Sequence, residues 1–195
     1  MLEQQPYRII VAITGASGAI YGIRTLEILR RLNYKTHLII SQTAKITINQ
    51  ETSFQIKDVE ALAHKVYDPQ DMAAPIASGS FTSKGMIVAP CSVKTLSAIA
   101  NSYTSDLIAR AADVNLKEGR QLLLMVREAP IHHGHLNLML KSAGMGAIIF
   151  PPIPTFYNLP KTVDDLVTES VGRALARIGI ENTSFTHWKG EYDLP

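Results

Sequence analysis

Cysteine, charge and long apolar runs are all scarce in this 195-residue chain. The single cysteine, Cys91, excludes an intrachain disulfide framework and suits a reducing compartment. Charged residues make up 18% of the chain, below the usual ~25%, which leaves room for an unusually large buried fraction, as in an oligomer. The 19 basic and 17 acidic residues give a formal net charge of +2. No nucleic-acid partner follows from that balance, and any basic site must be local. The longest apolar stretches, Ile9–Ile13 and Leu122–Val126, fall far short of the ~20 residues needed to cross a bilayer. Met1 to Arg8 is polar and shows no secretory pattern, so the expectation is a cytoplasmic protein without a membrane span. What is present is ordinary apolar content, 46%, in a length suited to one domain. The reading is a single domain over 1–195, with 181–195 a loosely structured tail.

Short apolar runs alternate with helical patterns. Strands are expected at Arg8–Thr14, Lys35–Ser41, Gly85–Pro90, Leu122–Val126 and Ala147–Pro151. Helices are expected at Ala19–Leu32, Ala44–Gln50, Val59–Val66, Ser92–Asn101, Asp106–Glu118, His135–Ala143 and Thr162–Ile178. Strands that are apolar throughout, rather than alternating, must be covered on both faces. The fold class is therefore α/β: a three-layer, Rossmann-like parallel sheet with helices on both sides. Ligands bind such sheets beyond the carboxyl ends of the strands. That rule selects Gly15–Gly18, Ser41, Cys91–Thr95, Arg127–Glu128 and Pro151–Tyr157. Gln70–Lys84 reads as a long loop of the kind that often serves function.

Thr14-Gly15-Ala16-Ser17-Gly18 joins the first strand to its helix, where glycines admit a ligand and exposed amides favour an anion. The spacing is not that of a dinucleotide fingerprint. Ser41 stands where an NAD enzyme usually carries an acid, so a mononucleotide fits better. Ser92, opening Ser92-Val93-Lys94-Thr95, repeats the logic as an N-cap beside a phosphate. Cys91, with no partner base, reads as a small buried residue. Arg127-Glu128 closes a buried strand, where a charged pair is costly unless it is paired or working. By spacing alone Arg110 and Lys117 share a solvated helix face, Asp106 pairs Arg110, and Glu169 pairs Arg173. Glu51 reads as a solvated helix end. His132, His133 and His135 read as a polar helix start rather than a metal site.

Six segments occur in order: TGASGAIYG (Thr14–Gly22), ASGS (Ala77–Ser80), PCSVKTLSAIA (Pro90–Ala100), RAADVNLKE (Arg110–Glu118), REAP (Arg127–Pro130) and FYNLP (Phe156–Pro160). Together they resemble the flavin prenyltransferases of the UbiX/Pad type, formerly called aromatic acid decarboxylases, over about Arg8 to Trp188. The resemblance implies a homododecamer built of trimers. It also implies reduced FMN as acceptor and dimethylallyl monophosphate as donor, with no metal. The dimethylallyl group would join flavin N5 and C6, and the prenylated FMN would pass to a UbiD-type decarboxylase.

The resemblance also implies roles for individual residues. Gly15, Ala16, Ser17, Ser41, Ser92, Val93, Lys94, Thr95 and Arg127 match flavin-binding positions. Arg110, Lys117, Arg127, Tyr157 and Arg173 match positions around the donor phosphate, some of which meet across subunits in the family. Ser17, Glu51, Lys117 and Glu128 match catalytic positions, and Trp188 matches a tail tryptophan that can cover the site. Met72 replaces an aromatic and Gly119 a basic residue found in some relatives. Two alternatives share the fold: an FMN-dependent decarboxylase of the cysteine-decarboxylase superfamily and a non-catalytic flavin carrier. The first is disfavoured because Ala74–Ala77 lacks a histidine and Pro151–Tyr157 lacks that superfamily's loop pattern. The second needs no cluster of Arg110, Lys117 and Arg173.

Overall fold

The computed structural model describes residues 7–188 and 190. In chain order the elements are β1 (Arg8–Ile13), α1 (Ala19–Arg31), β2 (Lys35–Ile40), α2 (Gln42–Glu51), α3 (Ile56–Ala61), β3 (Lys65–Tyr67), β4 (Gly85–Cys91), α4 (Val93–Ala100), α5 (Leu107–Lys117), β5 (Gln121–Val126), α6 (His133–Gly144), β6 (Ile148–Ile149) and α7 (Val163–Arg177). All six strands are parallel, in the order β3-β2-β1-β4-β5-β6. The chain therefore leaves β1 in opposite directions through the sheet, and the crevice between β1 and β4 is the switch point.

Alternate residues of each strand feed two separate cores. Ile9, Val11 and Ile13 meet α1, α2, α3 and α7 on one face. Ile10 and Ala12 meet α4, α5 and the Ala74–Ile76 segment on the other. Each fully buried Ile or Leu contributes roughly 1.5–3 kcal/mol. A Cβ on Gly22 would lie 2.3 Å from the Ala89 carbonyl oxygen, so only glycine lets α1 approach β4 this closely. Gly119 has φ +64 and ends α5, a conformation in which a basic side chain would be strained.

One expected element divides in two. The Val59–Val66 pattern is a helix only to Ala61; Lys65–Tyr67 pairs with β2 as the edge strand β3. Val59, Leu62 and Val66 satisfy helical spacing, but the chain turns after Leu62 and tertiary pairing takes the β-prone Val66-Tyr67. The described part of the tail is tied to α7 rather than loose. Asn182 Nδ2 donates to the Gly172 carbonyl at 3.0 Å, and the Thr186 amide donates to Glu169 on α7. Residues 189 and 191–195 of that tail lie outside the described residues. Among the described residues, no helix is long and apolar enough to cross a membrane.

Candidate functional site

Thr14 locks the switch point. Its hydroxyl donates to the Pro90 carbonyl at 2.7 Å and accepts the Ser92 amide at 2.8 Å. The Arg127 amide donates to the Cys91 carbonyl at 3.1 Å, bringing the end of β5 to the same edge. A cavity of about 230 Å³ opens there, lined by Thr14, Gly15, Ser41, Gln42, Thr43, Ser92, Lys94 and Thr95, with Pro69, Gln70, Asp106 and Ile108 closing its side. Gly15 is required because a Cβ would overlap Thr43 at 2.4 Å.

Two helices begin at this cavity. Ser41 caps α2, accepting the Ala44 amide at 3.1 Å, and Ser92 caps α4, accepting the Thr95 amide at 3.3 Å. The first-turn amides of Gln42, Thr43, Val93 and Lys94 have no acceptor within their helices. Together with the Lys94 side chain, these two positive helix ends make a fitted cradle for a phosphate. Gly15, Ser41, Ser92, Val93, Lys94 and Thr95 thus come together as the sequence suggests. Gln42, Thr43 and Asp106 join them unforeseen. Asp106 carries a readable signal, since it caps α5 by accepting the Ala109 amide at 2.9 Å.

The start of α1 is arranged differently. Gly18 is left-handed at φ +98 and offers no side-chain cap. Glu51, from the end of α2, supplies it: the Gly18 amide donates to Oε2 at 2.7 Å and the Ala19 amide at 3.2 Å. Burial acts to raise the Glu51 pKa. The Gly18 amide, the Ser17 hydroxyl, the Ala19 amide and the Arg127 charge outweigh it and hold the carboxyl below its ordinary value. Glu51 is therefore not a merely solvated helix end. It also occupies the anion position at α1, which leaves the α2/α4 cradle for a ligand phosphate. Ser17, Glu51 and Arg127 form a second cluster beside the cavity, joined by Tyr21. Burial pushes the Tyr21 hydroxyl's pKa up, partly offset by the Arg127 charge. Ala16 sits between the two clusters, its amide donating to the Thr14 carbonyl at 2.9 Å. Glu128 is exposed and accepts the neighbouring Ala129 amide at 3.0 Å.

The remaining cations stand apart from both clusters. Arg110 does not pair Asp106, whose carboxylate caps the helix. Arg110 Nε donates to the Ala77 carbonyl and its guanidinium pairs Asp113, both at 3.0 Å. Lys117 pairs Glu118, and the tight approach of Gly79 brings the ASGS loop against both. Asp106 lines the cavity at the start of α5, so Lys117, at the far end, lies about 16 Å away along the helix axis. Arg173 is on α7, across the sheet. Among the described residues Glu169 makes no ion pair with it, accepting instead from Asn158 Nδ2 and from the Thr186 amide of the tail. Tyr157 donates its hydroxyl to the Thr186 carbonyl at 2.9 Å, and its ring meets Trp188 edge-on with centroids 5.5 Å apart. Among the described residues, no hydrogen bond or ion pair joins Tyr157 or Arg173 to Arg110 or Lys117. Cys91 is buried, its thiol pushed up to about 12, consistent with a packing role. His132 caps α6 by accepting the Gly134 amide at 3.0 Å.

The chain is similar to known proteins over nearly its whole length. The flavoprotein family profile matches residues 2–174. A flavin prenyltransferase UbiX of Thauera aromatica is 52% identical over 183 residues, covering 94% of each chain. A crystal structure of AnUbiX (PadA1) in complex with FMN and dimethylallyl pyrophosphate superimposes with a TM-score of 0.94 at 49% identity, covering 95% of this chain and 99% of that one. A dodecameric FMN-dependent UbiX-like decarboxylase from Escherichia coli O157:H7 gives 0.92 at 48% identity, covering 94% and 100%.

Proposed function

The chain belongs to the flavoprotein family and, within it, to the flavin prenyltransferases of the UbiX type, and from that premise we propose how its own residues divide the work. The reaction joins a dimethylallyl group to N5 and C6 of reduced FMN, and the prenylated FMN serves a UbiD-type decarboxylase. Reduced FMN supplies the nucleophilic ring positions. The observation that carries the division of labour is the separation of two anion sites. The α2/α4 cradle is free for the FMN phosphate, while α1 is capped by the enzyme's own carboxylate. Gly15, Ala16 and Ser17 line the approach, Ser41 and Ser92–Thr95 take the phosphate, and Arg127 faces the flavin edge. Glu51, held ionised, sits where the ring reacts. It balances positive charge developing on the allylic group and accepts the proton lost there. Ser17 orients Glu51, and Glu128 supplies a second carboxylate.

Arg110, Lys117, Arg127, Tyr157 and Arg173 take the leaving phosphate. A second copy completes this set, since α5 and α7 cover opposite faces of one sheet and Lys117 stands at the end of α5 far from Asp106, which lines its own cavity. The exposed apolar residues Leu140 (73%) and Leu159 (77%), with Leu136, Ile153, Phe156 and Val163, offer surface for that contact. The dodecameric relative supports a homododecamer. The free, buried cysteine supports a reducing, cytoplasmic setting.

The donor reading is dimethylallyl monophosphate without a metal. Arg110 and Lys117 are each already paired with an acid, whereas among the described residues Arg127 and Arg173 make no ion pair. Those two surplus charges match the charge of about −2 on a monophosphate. The only adjacent acidic pair, Asp164-Asp165, is engaged by Arg24 and by the α7 cap. The test is mass spectrometry of the flavin after anaerobic incubation with reduced FMN and either donor, with and without chelator. The expected outcome is a flavin heavier by one isoprene unit, formed from the monophosphate and insensitive to chelation. A chelator-sensitive reaction restored by Mg²⁺, or a preference for the pyrophosphate, overturns the donor reading. No prenylated flavin from either donor overturns the assignment to this reaction.

A further inference from the structure

Glu169 is 4% exposed, a carboxylate buried in the middle of α7. Such a group destabilises a fold unless its oxygens are fully bonded. Its partners come from two segments distant in sequence. Oε2 accepts Asn158 Nδ2 at 2.9 Å, and the Thr186 amide donates to Oε1 at 3.2 Å and Oε2 at 3.1 Å. Asn158 adjoins Tyr157, whose hydroxyl donates to the Thr186 carbonyl at 2.9 Å. The bonds thus close a ring: Glu169 to Asn158, along the chain to Tyr157, across to Thr186, and back to Glu169. Trp188, two residues beyond Thr186, leans its ring on Tyr157. The tail is pressed onto the same part of α7, where a Cβ on Gly172 would lie 2.8 Å from the Ser184 backbone.

We infer that Glu169 is a positioning residue for prenyl transfer, fixing Tyr157 relative to Arg173 so that both face one donor phosphate. The inference rests on the assignment of Tyr157 and Arg173 to that phosphate. Arg173 lies four residues beyond Glu169, on the neighbouring turn of the same helix face. Anchoring Asn158 to Glu169 therefore anchors Tyr157 to the turn that carries Arg173. A phenol has one proton to donate, so a phosphate that takes it must displace the Thr186 carbonyl. Once that bond is exchanged, Glu169 still grips Asn158 on one side and the Thr186 amide on the other. The loop and the tail stay in place while the hydroxyl changes partner.

Glu169→Leu removes every acceptor. Glu169→Gln keeps one, and Oε2 alone already lies within bonding distance of both donors. The chain has one tryptophan, Trp188, so its fluorescence reports the latch without any turnover. The full-length protein is measured flavin-free for Trp188 anisotropy and acrylamide quenching. It is then measured with FMN for affinity, and with reduced FMN and dimethylallyl monophosphate for kcat and donor KM. In Glu169→Leu, Trp188 is expected to become more mobile and more quenchable, and donor KM to rise about tenfold while FMN affinity stays within about twofold. Glu169→Gln restores all three readings. Glu169→Leu combined with Tyr157→Phe raises donor KM no further than Tyr157→Phe alone. Unchanged Trp188 mobility in Glu169→Leu overturns the latch. A raised donor KM in Tyr157→Phe but not in Glu169→Leu overturns the positioning role. An unmutated protein that transfers no prenyl group sinks the catalytic assignment instead, and Trp188 still decides whether the latch exists.

Discussion

Replacing Glu51 by Gln separates the helix cap this side chain forms from the catalytic role proposed for it. As a cap it holds the Gly18 and Ala19 amides at 2.7 and 3.2 Å. The Gln carbonyl oxygen can accept both, so the helix start survives and only the charge is lost. Charge-assisted bonds are roughly twice as strong as neutral ones, and a carboxylate at a helix N-terminus is worth about 0.3–1 kcal/mol. Glu51 is exposed, so solvent screens much of this and the stability loss should stay near about 1 kcal/mol. At this chain length that lowers Tm by about 2–4 °C. Catalysis should suffer far more. Loss of a fixed charge or proton acceptor at the reacting centre costs on the order of 2–4 kcal/mol, or about 30- to 1,000-fold in kcat. The pH dependence has a definite sign. The folded-state pKa is depressed, so the stability Glu51 adds is present above its unfolded value and lost as pH falls through the folded one. The acid limb of the rate profile should lie below the ordinary glutamate range in the parent and vanish in Glu51→Gln. The assays are single-turnover prenylation, FMN titration and thermal melting on the same preparations. A kcat within about threefold of the parent, or FMN affinity falling by the same factor as kcat, would refute the reasoning.

Two other outcomes follow from the structure. His37 is buried, and burial first, then the charges of His64, Arg8, Lys65 and Lys35, push it down to about 4. Its neutral form therefore stabilises the fold fully above about pH 6.5, and about 3 kcal/mol is lost as pH falls from there to 4; urea midpoints across that range check it, and a midpoint unchanged between pH 6.5 and 4 refutes it. If α5 of one copy serves the flavin cavity of another, co-assembling Lys117→Ala chains with Arg127→Ala chains should rebuild roughly a quarter of the sites. Prenylation by the mixed oligomer, with neither parent active, is the expected result, and an inactive mixture of the same size contradicts it.

Most of the fold is legible because its strands are buried on both faces. Ile9–Ile13 and Leu122–Val126 are apolar at every position, and only a sheet sandwiched between helices makes use of that. β3 escapes the same logic. It is three residues long at the sheet edge, with Tyr67 packed and Lys65 and Val66 exposed. Too little of it is buried to break the helical spacing that runs through Val59, Leu62 and Val66. The cradle is legible for a related reason: strand ends are local features, and the rule that ligands bind beyond them selects Gly15, Ser41 and Ser92–Thr95 directly.

The rest of the site depends on contacts between residues distant in sequence. Glu51 caps a helix that begins 32 residues earlier in the chain, and no local pattern marks it. The i,i+4 rule pairs Glu169 with Arg173, yet the bonds Glu169 makes reach 11 and 17 residues away. In both cases a carboxylate that looks like a solvated helix charge is taken by backbone or amide donors that only the fold brings near. Arg110 and Lys117 mislead in the opposite sense. Their spacing correctly describes one helix face, and within a single chain its two cations bond to Ala77, Asp113 and Glu118. One phosphate cannot be reached both from the far end of α5 and from α7 on the other side of the same sheet. On the proposed assignment, the Arg110/Lys117 face serves the donor phosphate of a neighbouring copy, and single-chain periodicity holds no trace of a partner.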